Sequence, residues 1–168
     1  YFHLLELPKT SNVSNWDNYT SRVEEVTLEI LNLLKIQNIK ATFFILGWIA
    51  KKNKKLVSRI YNEGHDIGTH SFYHKLIKDM SIIEFKRDFK DSVNSLEDII
   101  GSKVKYYRAP GFSFNFDQKY VIDTMKDNQI EIDSSVFPGK RAHGGIPNIN
   151  CSKPFYIKYN GHLIKEYP

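Results

Sequence analysis

Short apolar runs alternate with amphipathic stretches of about a dozen residues, and that alternation leaves this chain few folds to choose from. Ala41 to Leu46 reads Ala-Thr-Phe-Phe-Ile-Leu, a continuous apolar run with β-branched and aromatic members. Such a run is the signature of a strand buried on both faces. Before it, Val23, Val26, Ile30, Leu33 and Leu34 recur at helical spacing, behind a Ser21–Glu24 pair spaced as a capping box. That helix is expected to end near Gln37-Asn38. A second helix is expected over about Ile49 to Asn62, stopped at Gly64, followed by a short strand from His65 to Thr69. Ser81-Ile-Ile-Glu84 is another capping box, and Phe85, Phe89, Val93, Leu96 and Ile100 continue its stripe up to Gly101. Val104 to Arg108 then reads as a strand, Asp117 to Asn128 as a helix and Ile130 to Val136 as a strand. Phe155 to Glu166 reads as a hairpin turning at Asn160-Gly161, a type I′ pair.

Strands separated by helices argue for parallel βαβ units, and right-handed crossovers leave an open doubly wound sheet or a barrel. Both place their chemistry on loops that follow the C-terminal ends of strands. The 168 residues fit one domain with a packed core, given 41% hydrophobic and 14% aromatic content. No apolar run reaches transmembrane length. The net charge of +5 would suit nucleic acid, but the lysines are scattered among acids. The densest cluster, Lys51, Lys52, Lys54 and Lys55, reads as a solvated helix face. No basic stripe interleaved with aromatics supports nucleic-acid binding. Cys151 is the only cysteine, which excludes internal disulfides and a thiolate metal site.

Three loops after strands carry the candidate chemistry. Gly68-Thr-His-Ser-Phe-Tyr-His74 places two histidines four apart, close enough to share one ion, although ordinary polar loop histidines have the same spacing. Tyr107-Arg-Ala-Pro-Gly-Phe-Ser113 sends Arg108 off a strand end into a sharp Pro110-Gly111 turn, which could aim backbone N–H groups at an oxyanion or be a plain turn. Asp133-Ser-Ser135 could hold Arg108, orient a histidine, or make only an Asx turn. His65 reads as structural, and Phe72, Tyr73, Phe112, Phe114 and Trp48 as packing residues first, although the aromatics flanking the motifs could also serve as sugar platforms. His143, in Arg141-Ala-His-Gly-Gly-Ile-Pro147, stands in a glycine-rich loop that could border the cleft.

Taken in order, these segments resemble the polysaccharide deacetylases, the NodB-homology or carbohydrate esterase family four group. The resemblance rests on Ala41 to Gly47, Glu63 to His70, the His70-Ser-x-x-His74 motif, Tyr107-Arg-Ala-Pro-Gly111 and Asp133-Ser-Ser-Val-Phe-Pro138. It implies an incomplete (β/α) barrel with a hairpin near its C-terminus. It further implies a hydrolase removing acetyl groups from an acetylated polysaccharide or oligosaccharide, with a divalent metal, Zn²⁺ first, on His70 and His74. Arg108 and Asp133 would serve the catalytic machinery, and Gly111, Phe112 and His143 the substrate and oxyanion side. One branch, associated with exopolysaccharide synthesis, carries an acidic motif before Tyr-Phe-His, the residues that stand here as Tyr1-Phe2-His3. The resemblance therefore implies that the first acidic motif and a last histidine motif lie outside these residues, and that residues 1–168 alone would have little activity. A relative acting on a small amide, and a non-catalytic carbohydrate-binding module on a decayed fold, are the competing expectations.

Overall fold

Thr42–Ile45 (β1), Asp66–Thr69 (β2), Tyr106–Tyr107 (β3), Ile132–Asp133 (β4), Phe155–Tyr159 (β5) and His162–Glu166 (β6) form one sheet in the order β1-β2-β3-β4-β6-β5. All neighbours are parallel except the β5–β6 hairpin. The computed structural model describes residue 10, residues 12–149, residue 151 and residues 153–168. Tyr1-Phe2-His3 lie outside them. The chain divides into two compact units, Tyr1–Ala41 and Thr42–Pro168.

The first unit holds a 3-10 turn at Val13–Asn18 and the helix Val23–Ile36 (α1). Asn12 caps the turn through the Ser14 N–H, and Trp16 donates its indole N–H to the Thr10 carbonyl at 2.8 Å. The expected capping box is absent from α1. Arg22, not Ser21, is its cap residue, and no side chain caps it. Ser21 instead accepts weakly from Val23 N–H at 3.4 Å. The stripe is also not the buried face, for Leu31 is fully buried while Leu33 is 58% exposed. Helical spacing decides which residues share a face but not which face acquires a neighbour.

In the second unit the expected helix at Ile49 to Asn62 is two helices, Gly47–Lys52 (α2) and Lys54–Asn62 (α3). Asn53 breaks it with φ −123° and ψ 47°, its own side-chain amide donating to the Ile49 carbonyl. The capping box at Ser81 is present and starts Ile82–Ile100 (α4), which Gly101 closes. Phe85, Phe89, Val93 and Leu96 are its buried face. Each such side chain contributes about 1.5–3 kcal/mol when fully buried. Phe89 meets Tyr107 with ring centroids 4.7 Å apart, so α4 packs on the sheet face that Tyr107 occupies. Lys119–Asp127 (α5) follows. Strands β3 and β4 are shorter than the apolar runs that announced them. In the hairpin turn, Asn160 and Gly161 both have positive φ, 47° and 73°, as a type I′ turn requires. Among the described residues no helix is long and apolar enough to cross a membrane.

The architecture is thus mixed α/β on a parallel sheet that does not close, the incomplete barrel expected from the alternation and the resemblance.

Candidate active site

Register places the site. Ile45, Thr69, Tyr107, Asp133 and Glu166 lie level across five strands. The ladder continues one residue further. His70 N–H donates to the Ile45 carbonyl, Arg108 N–H to Thr69, Ser134 N–H to Tyr107 and Tyr167 N–H to Asp133, all at 2.8–3.1 Å. His70, Arg108, Ser134 and Tyr167 therefore form a level row at the C-terminal edge of the sheet. Alternate residues of a strand point to opposite faces, so this row looks away from the face that α4 covers. Arg108, Ser134 and Tyr167 of this row line a cleft of about 490 Å³ together with Phe44, Asp66 and Tyr106, and His70 is not part of its lining. A larger groove of about 870 Å³ runs along α3 and α4 past Lys54, Arg59 and Asp98 and shares no residue with that cleft.

The two motif histidines come together. Their ring centroids are 4.9 Å apart, edge to face. His70 Nδ1 lies 2.7 Å from the Arg108 carbonyl oxygen. A carbonyl only accepts, so Nδ1 carries the hydrogen and Nε2 keeps its lone pair. This is how a metal-binding histidine is oriented by its outer partner. The pKa of His70 is pushed down to about 4, first by burial and then by the charge of His74. The ring is neutral at physiological pH, as a ligand must be. The donor set fits a borderline ion such as Zn²⁺, with two imidazoles as part of its set. Among the described residues no third histidine, cysteine or carboxylate joins them.

Arg108 does not bind Asp133. Its Nε donates to the Ser134 carbonyl at 3.0 Å and its terminal nitrogen to Ser134 Oγ at 2.5 Å, while its guanidinium lies 4.6 Å over the Phe44 ring. Asp133 is one residue earlier and points to the other face. Burial lowers the Arg108 pKa, and the charges of Asp133 and Glu166 oppose that shift. Of the roles open to Asp133, holding Arg108 falls instead to Ser134, its neighbour in the Asp-Ser-Ser motif.

Asp133 has a partner that no sequence pattern pointed to. It is fully buried opposite Glu166, which is fully buried too. Ser135 donates to Asp133 Oδ1 at 2.5 Å, and Val136 N–H donates to Glu166 Oε1 at 2.9 Å. The second oxygen of each carboxyl has no donor among the described residues, and neither does the buried Tyr107 hydroxyl beside them. Burial raises the pKa of both carboxyls, and the charge of Glu166 raises Asp133 further. One proton held between the two carboxyls would satisfy both oxygens, by the logic of buried carboxyl pairs.

Gly111 adopts φ 60°, as a sharp turn after Pro110 demands. A Cβ there would lie 2.8 Å from Leu76 Cδ2 and 3.0 Å from His143 Cβ. The 139–149 loop is therefore seated on the Pro110-Gly111 turn, and Gly145 N–H donates to the Phe112 carbonyl at 2.9 Å. His143 and Phe112 stand beside this turn, and Phe112 also meets Phe137 at 5.3 Å. We expect Gly111→Ala to lower stability by about 1–3 kcal/mol, the usual cost of overpacking. Urea unfolding would measure it, and a loss under 0.5 kcal/mol (order of magnitude of neutral surface changes) would contradict this close seating. His65 is buried, its ring centroid 5.3 Å from that of Phe43, and His162 Nε2 is 3.3 Å from the Ile130 carbonyl on the hairpin side.

Residues 6–131 match the family model described as polysaccharide deacetylase. The chain belongs to the polysaccharide deacetylase family. Over 86 residues it is 38% identical to a peptidoglycan-N-acetylglucosamine deacetylase of Bacillus cereus, a stretch covering 51% of this chain and 31% of that relative. The chain thus spans about a third of the length of the curated relative it matches. A candidate polysaccharide deacetylase structure from Mycobacterium smegmatis superposes with TM-score 0.69 at 19% identity, covering 83% of this chain and 43% of that one. It speaks for the fold alone. A CE4 family pseudoenzyme from Bacillus anthracis superposes with TM-score 0.60 at 27% identity, covering 66% of this chain and 38% of that one.

Proposed function

We propose that this polysaccharide deacetylase chain carries part of the active site of a metal-dependent hydrolase that removes acetyl groups from a polysaccharide or its oligosaccharides. The observation that carries the reading is the His70–His74 pair, its rings 4.9 Å apart and His70 Nδ1 bound to the Arg108 carbonyl, which leaves Nε2 its lone pair. A divalent ion held by these imidazoles would polarise the acetamide carbonyl and lower the pKa of a water.

The chain's own residues would do the rest. Ser134 uses two of the five guanidinium N–H groups of Arg108, and the others would clamp a carboxylate base and keep it ionised. The Pro110-Gly111 turn offers backbone donors to a tetrahedral oxyanion. Phe112 and His143 flank the turn, where the N-acetyl sugar would sit. Asp133 acts at one remove, its charge shared with Glu166 and lying behind Arg108. The relation to a peptidoglycan deacetylase supports an acetylated amino-sugar polymer as substrate. A role in exopolysaccharide metabolism is the variant that the Tyr1-Phe2-His3 resemblance favours. The pseudoenzyme likeness favours a second reading, a glycan-binding module without turnover.

The test is acetate release from an acetylated chitooligosaccharide and from peptidoglycan fragments. A version of the chain extended at both ends should turn over with Zn²⁺ and stop on chelation. Residues 1–168 alone should be at least about 100-fold slower, the least that loss of a general base costs. Equal turnover would place base and acid within these residues. Glycan binding without acetate release from the extended version would favour the non-catalytic module.

A further inference from the structure

The loop that carries the histidine pair is held from outside the motif. Asp88, on α4, accepts Phe72 N–H at 2.8 Å through Oδ2 and Tyr73 N–H at 3.3 Å through Oδ1. One helical turn further on, Ser92 Oγ donates to the Ser71 carbonyl at 2.9 Å and lies 2.7 Å from Thr69 Oγ1. Residues four apart share a helix face, so α4 presents these two groups side by side to the loop. Together they grip the backbone of residues 71, 72 and 73, the whole segment between the two histidines.

That grip meets a backbone that needs it. Ser71 has φ 66° and His74 φ 58°, both in the left-handed region that side chains with a Cβ avoid. Such conformations persist only where the surroundings over-determine them. Further ties come from inside the loop and from α2. His74 N–H donates to Ser71 Oγ at 2.9 Å, Gly47 N–H to the Ser71 carbonyl at 3.1 Å and Trp48 N–H to the Phe72 carbonyl at 3.2 Å. Asp88 differs from these in being a carboxylate, and bonds to a charged acceptor are about twice as strong as neutral ones. The two amides it receives lead directly into His74.

We propose that Asp88 is a positioning residue for the histidine pair, holding the Phe72-Tyr73 turn so that the His74 ring meets the His70 ring. The assignment rests on reading that pair as a metal site. It deepens that reading by naming a residue outside the motif on which ion affinity depends.

The experiment compares wild type, Asp88→Ala, Asp88→Asn and His70→Ala in two measurements. Without metal, amide exchange and histidine ring NMR signals are recorded. Asp88→Ala should speed exchange at Phe72, Tyr73 and His74 and shift the His74 ring signals, while amides of the β5–β6 hairpin keep their protection. With Co²⁺ as probe, Asp88→Ala should bind about 10–100-fold more weakly, the range seen when outer partners of metal ligands are lost. Asp88→Asn keeps one acceptor oxygen and should fall between the two, which also covers failure of the alanine variant to fold. Unchanged loop exchange and ring signals in both Asp88 variants would overturn the proposal. So would unchanged Co²⁺ affinity in those variants when His70→Ala abolishes binding. If wild type takes up no Co²⁺ at all, the metal reading falls, and the metal-free measurement alone decides whether Asp88 sets the position of His74.

Discussion

His70→Ala should lower Zn²⁺ affinity by more than about 100-fold, since losing only an outer partner of a ligand costs 10–100-fold. The reason lies in how the ring is held. His70 stands at the end of β2, its Nδ1 hydrogen donated to the Arg108 carbonyl and its pKa near 4, so Nε2 is a neutral, fixed donor. Nothing replaces it, because among the described residues no group of three metal-ligating side chains exists to take over. Titration calorimetry with Zn²⁺ on wild type, His70→Ala, His74→Ala and His162→Ala would check it. The first two variants should lose binding, and His162→Ala, on the hairpin, should keep it. In a version extended at both ends, the same two variants should lose acetate release. Wild-type affinity in His70→Ala would show that the ion, if bound, sits elsewhere.

The second large effect is expected at Glu166. Glu166→Ala removes the acceptor of the buried Val136 N–H and leaves Asp133 buried without its partner. An unsatisfied buried group costs about 1–3 kcal/mol, and the substitution leaves two of them, the Val136 N–H and the Asp133 carboxyl. A loss of about 3 kcal/mol or more is therefore expected in urea unfolding. Glu166→Gln should cost far less, because its amide can donate to Asp133 in place of a shared proton and its oxygen can still accept from Val136. The same pair sets a pH dependence. Both carboxyls have raised folded pKa values, with burial the largest cause for each. Above the ordinary carboxylate range the folded chain then holds more protons than the unfolded one. The pair's contribution is fully present in acid and is lost as pH rises through the folded pKa values. Relative to wild type, Glu166→Gln should gain stability as pH rises from about 4 toward neutrality. A gap between the two that does not change with pH would rule out the shared proton.

The hairpin, the capping box of α4 and the spacing of the histidine pair were determined by the sequence alone. Each depends on residues a few positions apart. Asn160 and Gly161 tolerate the two positive φ angles of their turn, Ser81 and Glu84 satisfy each other's N–H groups, and His70 and His74 are one short loop apart. The order of strands and helices was legible for the same reason, and with the family motifs it was enough to foresee an incomplete barrel. Tertiary structure decided everything that required two strands in register. Ser134 rather than Asp133 binds Arg108 because residues level across a parallel ladder share a face, and a shift of one residue exchanges the faces. Glu166 reached Asp133 from a strand that returns after the 139–149 loop, and no periodicity in the sequence encodes that pairing. Asp88 lies outside every motif of the sequence, and only the fold lays the histidine loop against it. In α1 the sequence drew the stripe correctly as a helix face, but burial went to Leu31, because which face of a helix is covered depends on what else the chain brings there.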